Sequence, residues 1–280
     1  MNKILSKLPF KILKTTAVSG GDINKTYKLE AVEGNFFMKV NSLIKYPELF
    51  KKEANGIKSL AQSDILKTPR VVTYGESDNY QYLILEWLQA GNETPESQVK
   101  FGRQLATMHQ KPQPFFGFTE DNYLGTWRQP NTQHTNWQDF YTECRIMPLV
   151  KLIVDNRTFY KENRVAAENF CSRIGELFPD EVPALLHGDL WGGNYISLEN
   201  EDTALIDPAV YYGHREMDLG MSRLFGGFSA KFYEGYNEVY PLEQNWQERL
   251  PYSQLYPLLF HAYAFGGNYI NSVKEILKRF

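Results

Sequence analysis

Along this chain the residue pattern changes once, near residue 89, and that change constrains the fold more than any other feature. Before it, short β-type runs surround a single amphipathic helix. Thr26–Val32 (TYKLEAV) and Phe36–Val40 (FFMKV) are strand candidates. Pro47–Gln62 is predicted as a helix, because Leu49, Ile57 and Leu60 fall on one face. Val71–Tyr74 and Tyr80–Leu88 pair as strands around a Glu-Ser-Asp-Asn turn. Gln89 to Asn92 is a polar, glycine-containing break. Thr94, Pro95 and Glu96 then supply an N-cap residue, a proline for the first helical position and a first-turn acid. The remainder has helical periodicity with long aromatic-rich connections, except Gly117–Trp137, which is rich in Asn, Gly, Gln and Thr. The expectation is an α+β fold of two lobes, a strand-rich one over 1–89 and a larger, mostly helical one over 90–280.

Composition sets the remaining bounds. Hydrophobic residues make up 42% of the 280, enough for a substantial core and too many for disorder. A net charge of −3 and a pI near 6.0 do not suggest a nucleic-acid binder, which is usually basic over a whole domain. Residues 1–70 nevertheless hold 13 Lys/Arg against 6 Asp/Glu, a local excess that suits a polyanion such as a nucleotide or, equally, a solvated lysine face. Lys3, Lys7, Lys11 and Lys14 interrupt the N-terminal stretch, so no signal peptide is expected. No run reaches the length of a membrane span. Two cysteines, Cys144 and Cys171, support neither a disulfide framework nor a zinc site and are expected to be inert. A soluble cytoplasmic protein is the expectation. The 41 aromatic residues admit two readings, a Phe/Tyr-rich core or flat faces around a ligand such as a sugar or a base.

The chemistry is concentrated in Leu185–Tyr195 (LLHGDLWGGNY). His187-Gly188-Asp189 is followed by Asn194 five residues after the aspartate, and Asp207 stands 13 residues beyond Asn194. Phosphoryl transfer from ATP needs such parts: one carboxylate for the acceptor hydroxyl, and hard oxygen donors that hold Mg²⁺ near the phosphates. The earlier part of the chain offers partners. Lys39 is a charge inside an apolar strand, and Glu53 is an acid on the apolar face of the predicted helix. A buried unpaired charge costs several kcal/mol, roughly as ion solvation dictates, so each asks for a partner and the two suit one another. Such a strand-lysine and helix-glutamate pair serves ATP phosphates in kinase-like folds. Gly20 and Gly21 allow close backbone approach to phosphates, although no Walker ending follows. Glu86, Trp87 and Leu88 end the last strand, where backbone groups of a kinase-like hinge meet adenine.

These residues resemble the fructosamine kinase (ketosamine-3-kinase) family, in the kinase-like group with aminoglycoside and choline phosphotransferases. The likeness runs from roughly residue 10 to the C-terminus and includes Ser19–Asn24, Phe37–Asn41, Leu85–Leu88, Leu105–His109, Phe116–Phe118, His187–Asn194 and Asp218-Leu219. The run Asp207–Glu216 (DPAVYYGHRE) selects this family within the group. One departure is glycine at 192 and 193, where the family pattern usually has a serine.

The resemblance implies ATP- and Mg²⁺-dependent phosphorylation at O3 of a ketosamine, free or protein-linked, in deglycation of amines. It implies Asp189 as the base and Asn194 and Asp207 as metal ligands. Gly20, Gly21, Lys39, Glu53 and the hinge Glu86–Leu88 bind ATP. His187 and Asp218 order the catalytic loop, Asp218 through backbone N–H groups. Trp191 is a candidate sugar platform. His214 and Arg215 either clamp substrate or brace the segment after Asp207. His109 is expected to be a satisfied, partly buried histidine. Tyr211, Tyr212, Trp87, Phe118, Tyr123 and Trp127 are further candidate ligand-facing rings. Two rivals are a phosphotransferase for another small alcohol and a non-catalytic nucleotide-binding scaffold. The scaffold would lack one of Lys39, Asp189, Asn194 and Asp207, and all four are present.

Overall fold

The alternation of the N-terminal strands builds one antiparallel sheet with two different faces. In the computed structural model, which describes residues 2–18 and 23–280, a short helix α1 (Asn2–Leu5) precedes β1 (Ile12–Ala17), β2 (Lys25–Ala31) and β3 (Gly34–Ser42). Helix α2 (Leu49–Ala61) and the hairpin β4 (Val71–Ser77) and β5 (Tyr80–Glu86) complete this part, in strand order β1-β2-β3-β5-β4. Because side chains alternate along a strand, Phe36, Met38 and Val40 face one way. There they pack with Leu29, Tyr82 and Ile84 under Ile4 and Leu8. Leu83 and Leu85 face the other way, against Leu49, Phe50, Ala54 and Ile57 of α2. Lys39 pairs opposite Leu83 and is therefore turned toward α2, only 2% exposed.

Each predicted element of this part is present, with shifted ends. The β4–β5 turn is tighter than the expected four residues, because Asp78 takes a left-handed φ of 53° and closes it with Asn79. Helix α2 starts at Leu49 instead of Pro47, since Glu48 sits at a φ of 58° and breaks the entry.

The helical part begins with α3 (Pro95–His109). Thr94 Oγ1 accepts from Ser97 N at 3.1 Å and Ser97 Oγ accepts from Thr94 N at 3.0 Å, a reciprocal cap ahead of the first-turn proline. The polar stretch 117–137 is not structureless. It holds the hairpin β6 (Asn122–Leu124) and β7 (Trp127–Gln129), turned at Gly125 with φ 57°. Helix α4 (Trp137–Phe140) runs through a π-helical segment, Tyr141–Ile146, into α5 (Met147–Asp155), followed by α6 (Lys161–Ser172) and α7 (Ile174–Leu177). Four short strands then frame the chemistry: β8 (Ala184–Leu186) pairs with β11 (Tyr211–Gly213), and β9 (Tyr195–Ser197) with β10 (Thr203–Leu205). Helices α8 (Glu216–Leu224), α9 (Ala230–Val239), α10 (Trp246–Phe265) and α11 (Asn268–Leu277) close the chain. Among the described residues no helix is long and apolar enough to cross a membrane.

Two glycines set the α3–α9 crossing, where the helices meet backbone to backbone. A Cβ on Gly102 would stand 2.0 Å from Phe232 O, and one on Gly235 would stand 2.2 Å from Val99 O. Both clashes are with main chain, which cannot rotate away. Gly102→Ala is therefore expected to lower unfolding free energy by about 3 kcal/mol, at the upper end of ordinary overpacking. Urea denaturation monitored by circular dichroism measures it, and a loss below about 1 kcal/mol would refute this account of the crossing.

Candidate active site

The loop between β8 and β9 is held open by hydrogen bonds to its own backbone. Asp218, in the first turn of α8, accepts from His187 N at 2.8 Å with Oδ2 and from Gly188 N at 2.9 Å with Oδ1. His109, fully buried at the end of α3, places Nε2 3.4 Å from Asp218 Oδ2 and Nδ1 2.9 Å from the Tyr236 hydroxyl. His187 joins the two halves of the site. Its Nε2–H donates to Ile206 O at 2.8 Å, and its Nδ1 accepts from Asp189 N at 3.3 Å. That pair of partners defines a neutral imidazole, and burial pushes its pKa down. Gly188 has φ +82°, and a Cβ there would stand 2.1 Å from Ala209 O, so the turn before Asp189 needs glycine.

Asp189 emerges from this frame as a restrained carboxylate. Asn194 Nδ2 donates both to Asp189 O at 2.8 Å and to Asp189 Oδ2 at 2.9 Å. Burial raises its pKa to about 7, the Asn194 bond works the other way, and the charges of Asp207 and Asp218 add to the rise. This value suits a group that takes up a proton near neutral pH.

Opposite lies a three-membered ion cluster. Lys39 Nζ is 2.8 Å from Glu53 Oε1 and 2.6 Å from Asp207 Oδ1. Burial alone would lower the lysine pKa, but Asp207 and Glu53 outweigh it and hold the ammonium above its ordinary range. Burial raises the Glu53 carboxyl, and Lys39 opposes that rise. Asp207 keeps 37% of its side chain exposed and takes a left-handed φ of 54°, uncommon for a residue other than glycine. Helix α2 comes close enough because Gly56 lies against Val210: a Cβ there would be 3.2 Å from its side chain.

A single cavity of 1140 Å³ brings together Lys39, Glu53, Glu86, Trp87, Leu88, Asp189, Trp191, Asn194 and Asp207. His187 and Asp218 stand behind it as the loop's frame. Gly20 and Gly21 lie outside the described residues. His214 and Arg215 do not reach the cavity. His214 is fully buried between Trp137 and Phe178, donates Nε2–H to Pro179 O at 3.2 Å and accepts from Glu216 N at Nδ1. Arg215 binds both oxygens of Glu181 at 2.8 and 2.9 Å, donates to Tyr240 O and Pro241 O, and lies over the Tyr240 ring. Of the two roles left open for this pair, a substrate clamp and a brace, the structure has the brace. Among the rings, Trp87 and Tyr123 line the cavity. Tyr211 is instead buried under Arg145, Tyr212 packs on Phe115 and Phe118, and Trp127 packs on Tyr263.

Two parts of the cavity had no local signal in the sequence. Val18, Ile23, Leu85, Ile196 and Ile206 form an apolar slot beside Glu86–Leu88. Met221, Phe225, Phe260, His261, Phe265 and Tyr269 form a wall drawn from α8 and the residue that caps it, α10 and α11.

An antiparallel sheet presenting a buried lysine–glutamate pair, set over a helical part that presents Asp189, defines a kinase-like phosphotransferase. The fructosamine kinase family model matches residues 3–280. A probable ketoamine kinase of Synechocystis sp. is 36% identical over 272 residues, covering 97% of this chain and 91% of the relative. The chloroplastic protein-ribulosamine 3-kinase of Arabidopsis thaliana is 34% identical over 275 residues, covering 95% and 82%. The crystal structure of a putative fructosamine-3-kinase from Thermobifida fusca superposes with a TM-score of 0.89 at 31% identity, covering 99% of this chain and 98% of that one. The chain belongs to the fructosamine kinase family.

Two predictions follow from the geometry. In the folded chain Asp189 keeps its proton up to about pH 7, against an ordinary value of 3.8. Its ionisation therefore weakens folding progressively between those values, and the full penalty holds above the upper one. Asp189→Asn is expected to abolish turnover yet raise the melting temperature of the nucleotide-free protein, more near pH 8 than near pH 5. Calorimetry at both pH values tests this, and a gain that is largest at the lower pH would contradict it. Lys39→Met leaves two carboxylates facing each other and is expected to lose about 3 kcal/mol of stability, as for other broken buried pairs. Adding Glu53→Gln should recover part of that stability but no activity, a coupling read from a double-mutant denaturation cycle.

Proposed function

We propose that this protein transfers the γ-phosphoryl group of ATP to the 3-hydroxyl of a ketosamine. The observation that carries the reading is the placement of Asp189, restrained by Asn194, in the same cavity as the Lys39–Asp207 pair. Asp189 accepts the proton of the attacking hydroxyl as the new O3–phosphorus bond forms and the bond to the β-phosphate oxygen breaks, releasing ADP. Lys39, oriented by Glu53, binds phosphate oxygens. The base lies in the apolar slot, where Leu88 offers a backbone N–H and C=O with no partner among the described residues. Trp191, 39% exposed at the cavity rim, is the platform for the sugar.

The donor set fits Mg²⁺. Asn194 commits its amide nitrogen to Asp189, which leaves its Oδ1 without a donor among the described residues. The Asp207 carboxylate is half-exposed. Hard oxygens in this number, completed by phosphate and water, are what Mg²⁺ takes. When bound, the ion neutralises phosphate charge.

The lobes of this reading are 1–89, which holds the nucleotide, and 90–280, which holds the base and the substrate. Trp191 and Phe265 line the cavity and are exposed, which supports access for free as well as protein-linked adducts. The two buried free thiols, Cys144 and Cys171, support a reducing cytoplasmic setting. The test offers ATP-Mg²⁺ with synthetic fructose- and ribulose-amines, with an aminoglycoside as control, and locates new phosphate by phosphorus NMR. Phosphate at O3 of a ketosamine is the expected result. Turnover of the aminoglycoside alone would overturn the substrate assignment.

A further inference from the structure

One wall of the cavity is made of rings in continuous contact. Trp191 meets Phe225 edge-on at 6.2 Å between centroids, and Phe225 meets His261 at 5.0 Å. His261 in turn touches Phe265 at 5.6 Å and Tyr269 at 5.0 Å. Gly266 and Gly267, at φ +66° and +62°, reverse the chain between α10 and α11 and return Tyr269 to the histidine. This wall is not closed core, since Phe265 is 57% exposed and Trp191 is 39% exposed. Large apolar rings left open at a cavity rim mark a ligand surface rather than packing. None of the ring residues of this wall is acidic; the acidic residues that line the cavity are Glu53, Glu86, Asp189 and Asp207.

His261 adds one polar atom. Its Nδ1–H donates to Pro257 O at 2.7 Å, which leaves Nε2 as an acceptor with no partner among the described residues. Burial pushes its pKa down and keeps the ring neutral. The wall therefore offers π-faces and one lone pair, and no anion.

A ketosamine carries a secondary amine a few covalent bonds from its 3-hydroxyl. Aliphatic amines are protonated at neutral pH. Trp191 stands two residues from Asp189 and touches Phe225, so a sugar on Trp191 with O3 toward Asp189 has the rings of this wall as its neighbours. We propose that Trp191, Phe225, His261 and Phe265 form the subsite for the substrate's ammonium group, held over the ring faces with His261 Nε2 accepting an N–H. The inference rests on the ketosamine reading above and adds the feature that selects it: the amine linkage, rather than the sugar alone, is read. Because the rings stop at the rim, the group beyond the nitrogen extends into solvent.

The experiment compares N-propyl fructosamine with its neutral ether counterpart, 1-O-propyl fructose, in steady-state assays of wild type and of Phe265→Leu and Phe225→Leu. Leucine keeps the apolar surface and removes the π-face. In the wild type KM for the ether should exceed KM for the amine about tenfold, the scale of a partly desolvated cation–π contact. Each variant should bring that ratio toward one, with a larger change in KM than in kcat. A wild-type ratio near one, or variants that raise both KM values equally, would overturn the subsite while leaving the ketosamine reading in place. No turnover of either compound would overturn the ketosamine reading and this inference with it.

Discussion

One buried cation organises the molecule. Lys39 lies in the middle of an apolar sheet, and its charge is tolerable only because Glu53 and Asp207 reach it from two other elements. Glu53 comes from α2, and Asp207 from the loop after β10, in the helical part of the chain. The cluster therefore fixes how the sheet, α2 and the helical part stand relative to one another. A second tie works beside it. Glu120, from the segment before β6, accepts from Asn55 Nδ2 at 2.7 Å and from Lys52 Nζ at 3.2 Å, and the Tyr123 hydroxyl donates to Pro47 O. Helix α2 and the residues leading into it are thus gripped a second time by the segment before and within β6.

The loop that carries Asp189 is built on a different principle, the satisfaction of backbone groups. Asp218 consumes both of its oxygens on two successive N–H groups and leaves Asp189 free to face the cavity. His187 spends both ring nitrogens on tying Asp189 to Ile206, the residue before Asp207. The segments that carry Asp189 and Asp207 are consequently tied together by one neutral imidazole. Asp189, left in a buried place with a raised pKa, is the destabilised member of an otherwise satisfied network, as expected where function competes with stability.

Much of this was legible from residue order. The two-residue period of Phe36–Val40 places Lys39 on the face opposite Met38, and the helical period of α2 places Glu53 beside Ile57. The cap at Thr94–Ser97 is likewise local in cause, since it depends on two residues three apart, whereas the Asp218 brace reaches backbone groups 31 and 30 residues away and was legible only through the family resemblance. The aromatic residues were another matter. Tyr211 and Tyr212 stand next to Asp207 in sequence, yet β11 pairs with β8 and turns them onto Arg145, Phe115 and Phe118. Phe265 and His261 are far from Asp207 in sequence, yet they line its cavity. His214 and Arg215 lie in the family-selecting run and are spent on Pro179 and Glu181, a segment no local pattern links to them.

By itself, then, the sequence determined which charged groups exist, which face of each strand and helix they occupy, and the spacing of the loop that holds Asp189. Those follow from backbone periodicity and from the cost of unpaired charge, both of which act over a few residues. Tertiary structure alone decided which of the 41 aromatic rings are core and which line the cavity. The reason is physical: burial of a ring depends on what packs against it, and here the packing partners come from helices separated by long stretches of chain.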